Sequence, residues 1–102
     1  MLNEVFMENI ALMKSPNIKK ISIVIPVYRE EKNLQRMHDK LKEVTFNLGN
    51  YHWEYVYVND GSPDDSLKVL RILAANDRRV KVVDLSRNFG KEIALSAGVN
   101  EV

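Results

Sequence analysis

The residues that could do chemistry in this chain of 102 residues are concentrated in three short polar segments, at positions 26–30, 59–65 and 86–92. In the second segment Asp60 follows an apolar run and precedes Gly61, so the carboxylate can point outward while the backbone turns away. A fixed carboxylate accepts a hydrogen bond from a ring N–H, such as that of uracil, and discriminates against a base that lacks the donor. The alternative is a turn aspartate that only satisfies nearby backbone amides.

Two cations of the third segment could bind phosphate groups. Arg87 and Lys91 are four positions apart around Gly90, where a helix is predicted to begin. Cations, backbone amides and a helix N-terminus can all meet a diphosphate at such a turn, although two basic residues near a glycine are also common on ordinary surfaces. In the first segment, Tyr28 could stack on a base or could be a partly buried tyrosine at a strand end.

Other polar residues are interpreted as structural. Ser62, Asp64 and Asp65 have the residue types that begin a helix, by capping it and placing carboxylates in its first turn. His38 and His52 have no partner at the spacing of metal ligands, so surface positions are expected for both.

The apolar pattern predicts the elements that position the three segments. Strands are expected at positions 21–25, 53–58 and 80–85, with helices at 31–48, from 62 and from 90, and Pro26 is expected to end the pairing of the first strand. The first helix is expected to bury the face made of Leu34, Met37, Leu41, Val44 and Leu48. This order predicts a three-layer α/β/α, Rossmann-like fold with a parallel sheet. Ligands of such sheets bind beyond the carboxyl ends of the strands, where all three polar segments fall.

Composition excludes several classes of function. The 15 basic and 14 acidic residues leave a net charge of +1, which gives no electrostatic basis for binding nucleic acid. The chain has no cysteine, which excludes disulfides and thiolate zinc sites and suits a reducing, cytoplasmic compartment. No apolar stretch approaches the roughly 20 residues of a membrane helix, and neither a G-x-G-x-x-G nor a phosphate-loop motif is present.

Residues 1–19 are expected to form a poorly ordered arm or a short helix.

Three stretches together resemble the inverting family-two glycosyltransferases with the GT-A fold. They are SIVIPVYREEKNL at 22–34, YVNDGSPDDS at 57–66 and LSRNFGKEIALSAG at 85–98. Their order and spacing match the N-terminal part of that family over positions 20–102. The third stretch is most similar to the branch that acts on polyprenyl phosphates, which includes bactoprenol glucosyltransferases and dolichol-phosphate mannose synthases.

The resemblance implies a nucleotide-sugar site with a defined set of residues. The donor is expected to be a UDP-sugar, with glucose as the expected hexose, and the acceptor a polyprenyl phosphate that attacks the anomeric carbon with inversion. A divalent metal, Mg²⁺ or Mn²⁺, would stabilise the UDP leaving group. The residues expected to bind the donor nucleotide are Pro26, Tyr28, Glu30, Asp60, Arg87 and Lys91.

The same resemblance implies that the chain carries only part of a catalytic domain. The family's Asp-x-Asp metal motif would come shortly after Val102, so positions 20–102 are expected to be a nucleotide-binding half without catalytic residues or a complete metal site, inactive alone. The parent enzyme would work at the cytoplasmic face of the inner membrane. The first strand, 21–25, would then have an unpaired edge, which predicts marginal stability or self-association. A stand-alone, non-catalytic nucleotide-binding or interaction module is the alternative, and an unrelated three-layer α/β domain a more distant one.

Overall fold

From residue 20 onward, strands and helices alternate along the chain, as the apolar pattern predicts. A computed structural model describes residues 11–14 and 20–102. The elements are β1 (Ala11–Lys14), β2 (Lys20–Val27), α1 (Leu34–Phe46), β3 (His52–Asn59), α2 (Ser66–Asn76), β4 (Val80–Asp84) and α3 (Lys91–Asn100).

The four strands form one sheet in the order β1-β2-β3-β4. Strands β2, β3 and β4 are parallel, and their registers pair Val27 with Asn59 and Asn59 with Asp84. The carboxyl ends of these three strands therefore lie together at one edge of the sheet, called here the carboxyl edge. The predicted α/β fold with a parallel sheet is confirmed.

Helices cover both faces of the sheet. On one face, α1 and α2 pack on the odd-numbered residues of β2 and β3, in a cluster that includes Ile23, Ile25, Val27, Leu34, Leu41, Tyr55, Tyr57, Leu70 and Leu73. On the other face, α3 packs on Val24, Val56 and Val58 through Ala94. Side chains alternate between faces along a strand, so the period-two pattern of β2 and β3 supplies both clusters.

The buried face of α1 differs from the predicted one. It consists of Leu34, His38, Leu41 and Thr45, whereas the predicted Leu48 lies beyond the helix and is 60% exposed. The polar residues can turn inward because β3 offers hydroxyl partners. His38 Nδ1 lies 2.6 Å from the Tyr57 hydroxyl, and Thr45 Oγ1 lies 2.7 Å from that of Tyr55.

His38 is buried, so the predicted surface position is wrong for this residue, while His52 is exposed as expected. The other ring nitrogen of His38, Nε2, lies 3.1 Å from Asp77 Oδ2. An ionised carboxylate only accepts hydrogen bonds, so Nε2 carries the proton and Nδ1 accepts from the Tyr57 hydroxyl. Burial lowers the pKa of His38, partly opposed by Asp77. Burial also acts to raise the pKa of Asp77, but hydrogen bonds from Arg79 and His38 outweigh it and lower that pKa.

The edge of β2 that was expected to be unpaired has a strand partner. Strand β1 pairs with it antiparallel, from Ala11 opposite Val24 to Lys14 opposite Ile21. A free strand edge is a row of unsatisfied backbone donors and acceptors, and an antiparallel segment of the same chain satisfies them. This removes the stated basis for self-association through residues 21–24. It also makes residues 11–14 a strand instead of part of an arm or short helix; the rest of that predicted arm lies outside the described residues.

Two element boundaries differ from prediction for identifiable reasons. Strand β2 continues through Pro26 to Val27, whose carbonyl accepts the Asp60 N–H at 2.8 Å. Backbone groups alternate sides along a strand, so the missing N–H of Pro26 would face away from β3, where pairing with β1 has already ended. Helix α2 begins at Ser66 and has no side-chain cap at Asp65, so the predicted helix start near Ser62 is also wrong.

Candidate functional site

Three loops meet at the carboxyl edge: the β2–α1 loop (residues 28–33), the β3–α2 loop (residues 60–65) and the β4–α3 loop (residues 85–90). Parallel pairing alone places the loops side by side. They contain or adjoin all the polar side chains predicted to bind a nucleotide.

Asp60 joins the second loop to the third. Its carboxylate is buried, with 3% of the residue exposed. Oδ1 accepts a hydrogen bond from the backbone N–H of Phe89 at 2.8 Å, and Oδ2 accepts one from Gly90 at 3.1 Å. The interpretation as an aspartate that satisfies backbone amides fits this geometry, but the amides belong to a different loop instead of its own turn.

Gly61 allows the same two loops to approach closely. Its φ is +66°, a conformation that L side chains rarely adopt. A Cβ atom at this position would overlap the backbone of Arg87 and Asn88, and would lie 2.6 Å from the Arg87 Cα. Any residue with a side chain would therefore displace the β4–α3 loop.

The β2–α1 loop is held by the β3–α2 loop through backbone amides and short polar side chains. Ser62 Oγ accepts the N–H of Arg29 at 3.1 Å, and Ser66 Oγ accepts that of Glu30 at 2.9 Å. Asp64 Oδ1 in turn accepts the Ser66 hydroxyl at 2.6 Å. Ser62, predicted as a helix-capping residue, thus connects the two loops, and Asp64 holds the Ser66 hydroxyl that makes the second connection.

Two arginines at this edge lie over aromatic rings. The Arg29 guanidinium carbon is 5.3 Å from the ring centre of Tyr28, and that of Arg87 is 5.0 Å from the ring centre of Phe89. Both arginines are exposed, and Arg29 has a φ of 55°. A non-glycine residue with positive φ is uncommon, so the loop holds Arg29 against a local conformational preference.

The remaining predicted residues occupy different roles. Pro26 is half-buried within β2, opposite Val58. The Glu30 carboxylate accepts a hydrogen bond from Asn33 Nδ2 at 3.1 Å, so it supports the start of α1. Lys91 is exposed and is the first residue of α3. The structure joins Asp60 to the loop that carries Arg87, while Tyr28 lies on the neighbouring β2–α1 loop.

A cavity of about 710 Å³ lies beside these groups, and none of the six predicted residues lines it. Asn59 and Asp84 line it together with α2 residues such as Lys68 and Arg71. Asn59 and Asp84 face the α1 and α2 side of the sheet, whereas Asp60 faces the α3 side. The cavity is an open groove lined by side chains of both charges, so the convergence of the three loops identifies the candidate site better than this groove does.

The described residues do not fit a divalent metal. They contain no group of three or more side chains among histidine, aspartate and glutamate that could hold one. The carboxylate of Asp64 is engaged by Ser66, and its Oδ2 also lies 3.4 Å from the backbone nitrogen of Glu31. Hydrogen bonds from Ser66 and Glu31 lower the pKa of Asp64 and outweigh the opposite effect of burial.

The sequence places Arg29 and Phe89 in the segments predicted at this edge but indicates no individual role for them, and it does not indicate the contact that Ser66 makes there. The partners of Phe89 and Ser66 are 29 and 36 positions away, so no local pattern indicated those contacts. Gly61 was identifiable, because a glycine directly after a strand-end aspartate commonly marks a turn with positive φ.

Comparisons with known proteins agree on one family. The family model described as glycosyl transferase family 2 matches residues 22–102. An uncharacterized glycosyltransferase of Synechocystis is 51% identical over 81 residues, which cover 79% of this chain and 25% of the relative. A putative glycosyltransferase of Bacillus subtilis is 46% identical over 82 residues, 80% of this chain and 25% of the relative. The bactoprenol glucosyl transferase of Shigella phage SfX is 40% identical over 81 residues, which cover 79% of this chain and 26% of the relative. The chain thus spans about a quarter of the length of these curated relatives.

Proposed function

The chain belongs to glycosyl transferase family 2, and on that premise we propose that it is the donor-binding part of an enzyme that transfers a hexose from a UDP-sugar to a polyprenyl phosphate. The observation that carries the proposal is the convergence of Tyr28, Asp60 and the Arg87 loop at the carboxyl edge. Glucose is the proposed hexose, because relatives named bactoprenol glucosyl transferase match 79% of this chain.

The proposed donor site uses Tyr28 from one arginine–aromatic pair and Arg87 from the other. The exposed ring of Tyr28 offers a stacking surface for the base. Arg87 and Lys91 supply positive charge for the diphosphate, because a guanidinium group binds phosphate through charge-assisted hydrogen bonds. Pro26 and Glu30 shape the adjoining loop on the nucleoside side.

The proposed reaction needs no proton transfer. An anionic oxygen of the lipid phosphate attacks the anomeric carbon, a new carbon–oxygen bond forms, and the bond from that carbon to the diphosphate of UDP breaks. UDP leaves with the electron pair, and a single displacement inverts the anomeric centre.

We place the acceptor at the cytoplasmic face of the inner membrane. None of the described helices is long and apolar enough to cross a membrane. No step is assigned to a metal, since these residues do not form a site for one.

Calorimetric titration with UDP tests the donor site. The wild-type chain is expected to bind UDP, and Arg87→Ala is expected to weaken binding about tenfold or more, as for loss of a hydrogen bond to a charged group. Arg78→Ala is the matched control, because Arg78 is an exposed arginine in the loop before β4, at the opposite edge of the sheet. Equal affinity of the two variants would contradict the proposed site.

A second candidate function is nucleotide binding without catalysis by this chain. It is favoured because three carboxylates at this edge already accept hydrogen bonds within the protein: Glu30 from Asn33, Asp60 from the Phe89 and Gly90 amides, and Asp64 from Ser66. Incubation of the purified chain with UDP-glucose and a polyprenyl phosphate is expected to give no glycolipid. Formation of product would show that the chain is catalytic by itself.

A further inference from the structure

We propose that β1 is an exchangeable strand: it covers the edge of β2 in this chain and is displaced by a parallel strand that longer members of the family supply after α3. The exchange depends on the geometry of the sheet and on family membership. It depends neither on the donor nor on the acceptor proposed above.

Strand β1 covers only part of the β2 edge. Its four residues pair with residues 21–24, whereas β2 has eight residues and continues to Val27. The Val27 carbonyl faces β3, where it accepts the Asp60 N–H, so the backbone groups of Pro26 face the β1 side. Among the described residues, none pairs with this side of β2 beyond Val24. The edge can therefore take a longer strand than β1.

The connections between strands indicate that the next parallel strand would lie beside β2. Helix α1 connects β2 to β3, α2 connects β3 to β4, and both helices lie on one face of the sheet. Helix α3 lies on the other face. Connections between parallel strands are right-handed, so a connection on that face moves from β4 back toward β2. Because β3 and β2 fill the first positions on that side, the next position is the outer edge of β2, where β1 lies.

The placement of α3 agrees with this direction. Although α3 follows β4, it packs on Val24 of β2 and on Val58 of β3. Just after the helix, the Glu101 carbonyl accepts a hydrogen bond at 2.6 Å from Nζ of Lys81, which is near the beginning of β4. Helix α3 thus ends at the side of the sheet where the parallel strands begin. A strand that follows it would run parallel to β2.

Family membership supplies the occupant. The family match begins at residue 22, so β1 lies outside the matched residues. This chain spans about a quarter of the length of its curated relatives, and its resemblance is to the N-terminal part of the family, so the relatives have further elements after α3. A strand of that later part is the partner that this edge fits, since an exposed strand edge binds a further strand through backbone hydrogen bonds.

Native-state hydrogen exchange tests whether β1 can leave the sheet by itself. Within β2, the amides of Ser22 and Val24 face β1, whereas those of Ile23 and Ile25 face β3. The amides on the β1 side are expected to exchange about tenfold faster or more, because only β1 has to detach. Equal exchange on both sides would show that β1 leaves only when the sheet unfolds, and would overturn the exchange.

A disulfide between β1 and β2 provides a variant in which the exchange is blocked. Lys14 lies directly opposite Ile21, in a pair that faces away from the ladder hydrogen bonds. Such pairs have Cα atoms about 4.5 Å apart, which a disulfide can span. Because the chain has no cysteine, the double variant Lys14→Cys and Ile21→Cys can form only this bond within one molecule. The same variant after reduction is its matched control.

Peptide binding to this variant tests the occupant. The probe is a synthetic peptide with the ~20 residues that follow the matched region in the Bacillus subtilis relative, enough for a short loop and a strand. The oxidised variant is expected to bind the peptide at least about tenfold more weakly than the reduced variant, and a peptide of scrambled sequence is expected not to bind. Equal affinity of the oxidised and reduced forms would overturn the proposal, as would failure of the wild-type chain to bind the peptide.

The wild-type chain gives a second readout that does not depend on the folding of the variant. With the peptide bound, the amides of Ala11 and Met13 are expected to lose protection from exchange, while those of Ser22 and Val24 keep it. Unchanged protection of Ala11 and Met13 in the complex would contradict displacement of β1. Self-association of the reduced variant without peptide binding would assign the edge to a second copy of the chain and overturn the proposed occupant.

Discussion

At the residue scale, Tyr55 and Tyr57 are buried, and the hydroxyl group of each contacts a polar side chain of α1. Tyr57 hydrogen-bonds His38, and His38 contacts Asp77 on the loop before β4. A buried polar group costs little when it is paired and much when it is not. The apolar periodicity of α1 indicated Met37 and Val44 for this face, because periodicity carries no information about hydroxyl partners 10 to 19 positions away.

Tyr57→Phe is expected to destabilise the chain by about 1–3 kcal/mol, because it leaves the buried Nδ1 of His38 without its donor. Chemical denaturation measures the change. Tyr28→Phe is the control, since Tyr28 is 41% exposed, and it is expected to leave stability nearly unchanged. Equal stability of the two variants would show that the Tyr57 hydroxyl contributes nothing.

Stability is expected to fall as the pH decreases below about 6.5. Burial lowers the pKa of His38 in the folded state, so the unfolded chain binds the proton more readily, and acid favours unfolding. Full stability is therefore present above the unfolded pKa and is lost as the pH falls toward the folded one. Denaturation at pH 7.5 and 5.5 measures the effect. His38→Gln should flatten this pH dependence, whereas His52→Gln should preserve it; parallel curves for all three proteins would contradict the assignment.

At the scale of elements, local sequence patterns predict some helices and strands and fail to predict others. The positions of β2, β3, β4 and α1 could be predicted because their apolar runs are long. Strand β1 could not be predicted, because Leu12 and Met13 belong to a stretch whose apolar spacing is compatible with a helix. Pairing with the backbone of β2 makes this segment a strand. The start of α2 was misplaced because Ser62 was assigned to capping, whereas its hydroxyl accepts the Arg29 amide.

The pairing of β1 is expected to keep the chain monomeric. Replacing Leu12 and Met13 together by proline removes two backbone donors and disfavours the strand. The free edge of β2 should then cause concentration-dependent association in sedimentation velocity. The double alanine variant retains the backbone donors and is the control. A monomeric proline variant would indicate that β1 does not protect this edge.

Gly98 sets the distance between α3 and the sheet. A Cβ atom there would overlap Val24 and lie 2.8 Å from Val58 Cγ2. Both valines are fully buried and have restricted rotamers, so Gly98→Ala is expected to destabilise the chain by about 1–3 kcal/mol despite alanine's higher helix propensity. Thermal denaturation should show a lower Tm than for Ser96→Ala, an exposed position on the same helix. A higher Tm for Gly98→Ala would mean that the sheet yields at this point.

For the whole molecule, the two faces of the sheet differ in how firmly they are covered. Helices α1 and α2 share a cluster that contains large buried side chains, including two tyrosines. The buried residues of α3 are Ala94 and Gly98, which bury little apolar area. Because stability increases with the apolar area that is buried, local stability should be lower on the α3 side of the sheet.

Native-state hydrogen exchange is expected to show this difference directly. Amides of α3 should exchange through a partial opening with a smaller free energy than global unfolding, whereas amides in the middle of β3 should require global unfolding. Increasing denaturant distinguishes the two classes. A single opening free energy shared by α3 and β3 would show that the molecule unfolds as one unit.

The only tryptophan of the chain, Trp53, lies near the beginning of β3, at the opposite end of that strand from Asp60. Its ring is half-buried and meets Tyr51 edge-on, with ring centres 5.9 Å apart. Its fluorescence should therefore change when the sheet comes apart and stay constant when a nucleotide binds. The protein thus carries an intrinsic optical reporter that separates loss of structure from occupation of its ligand site.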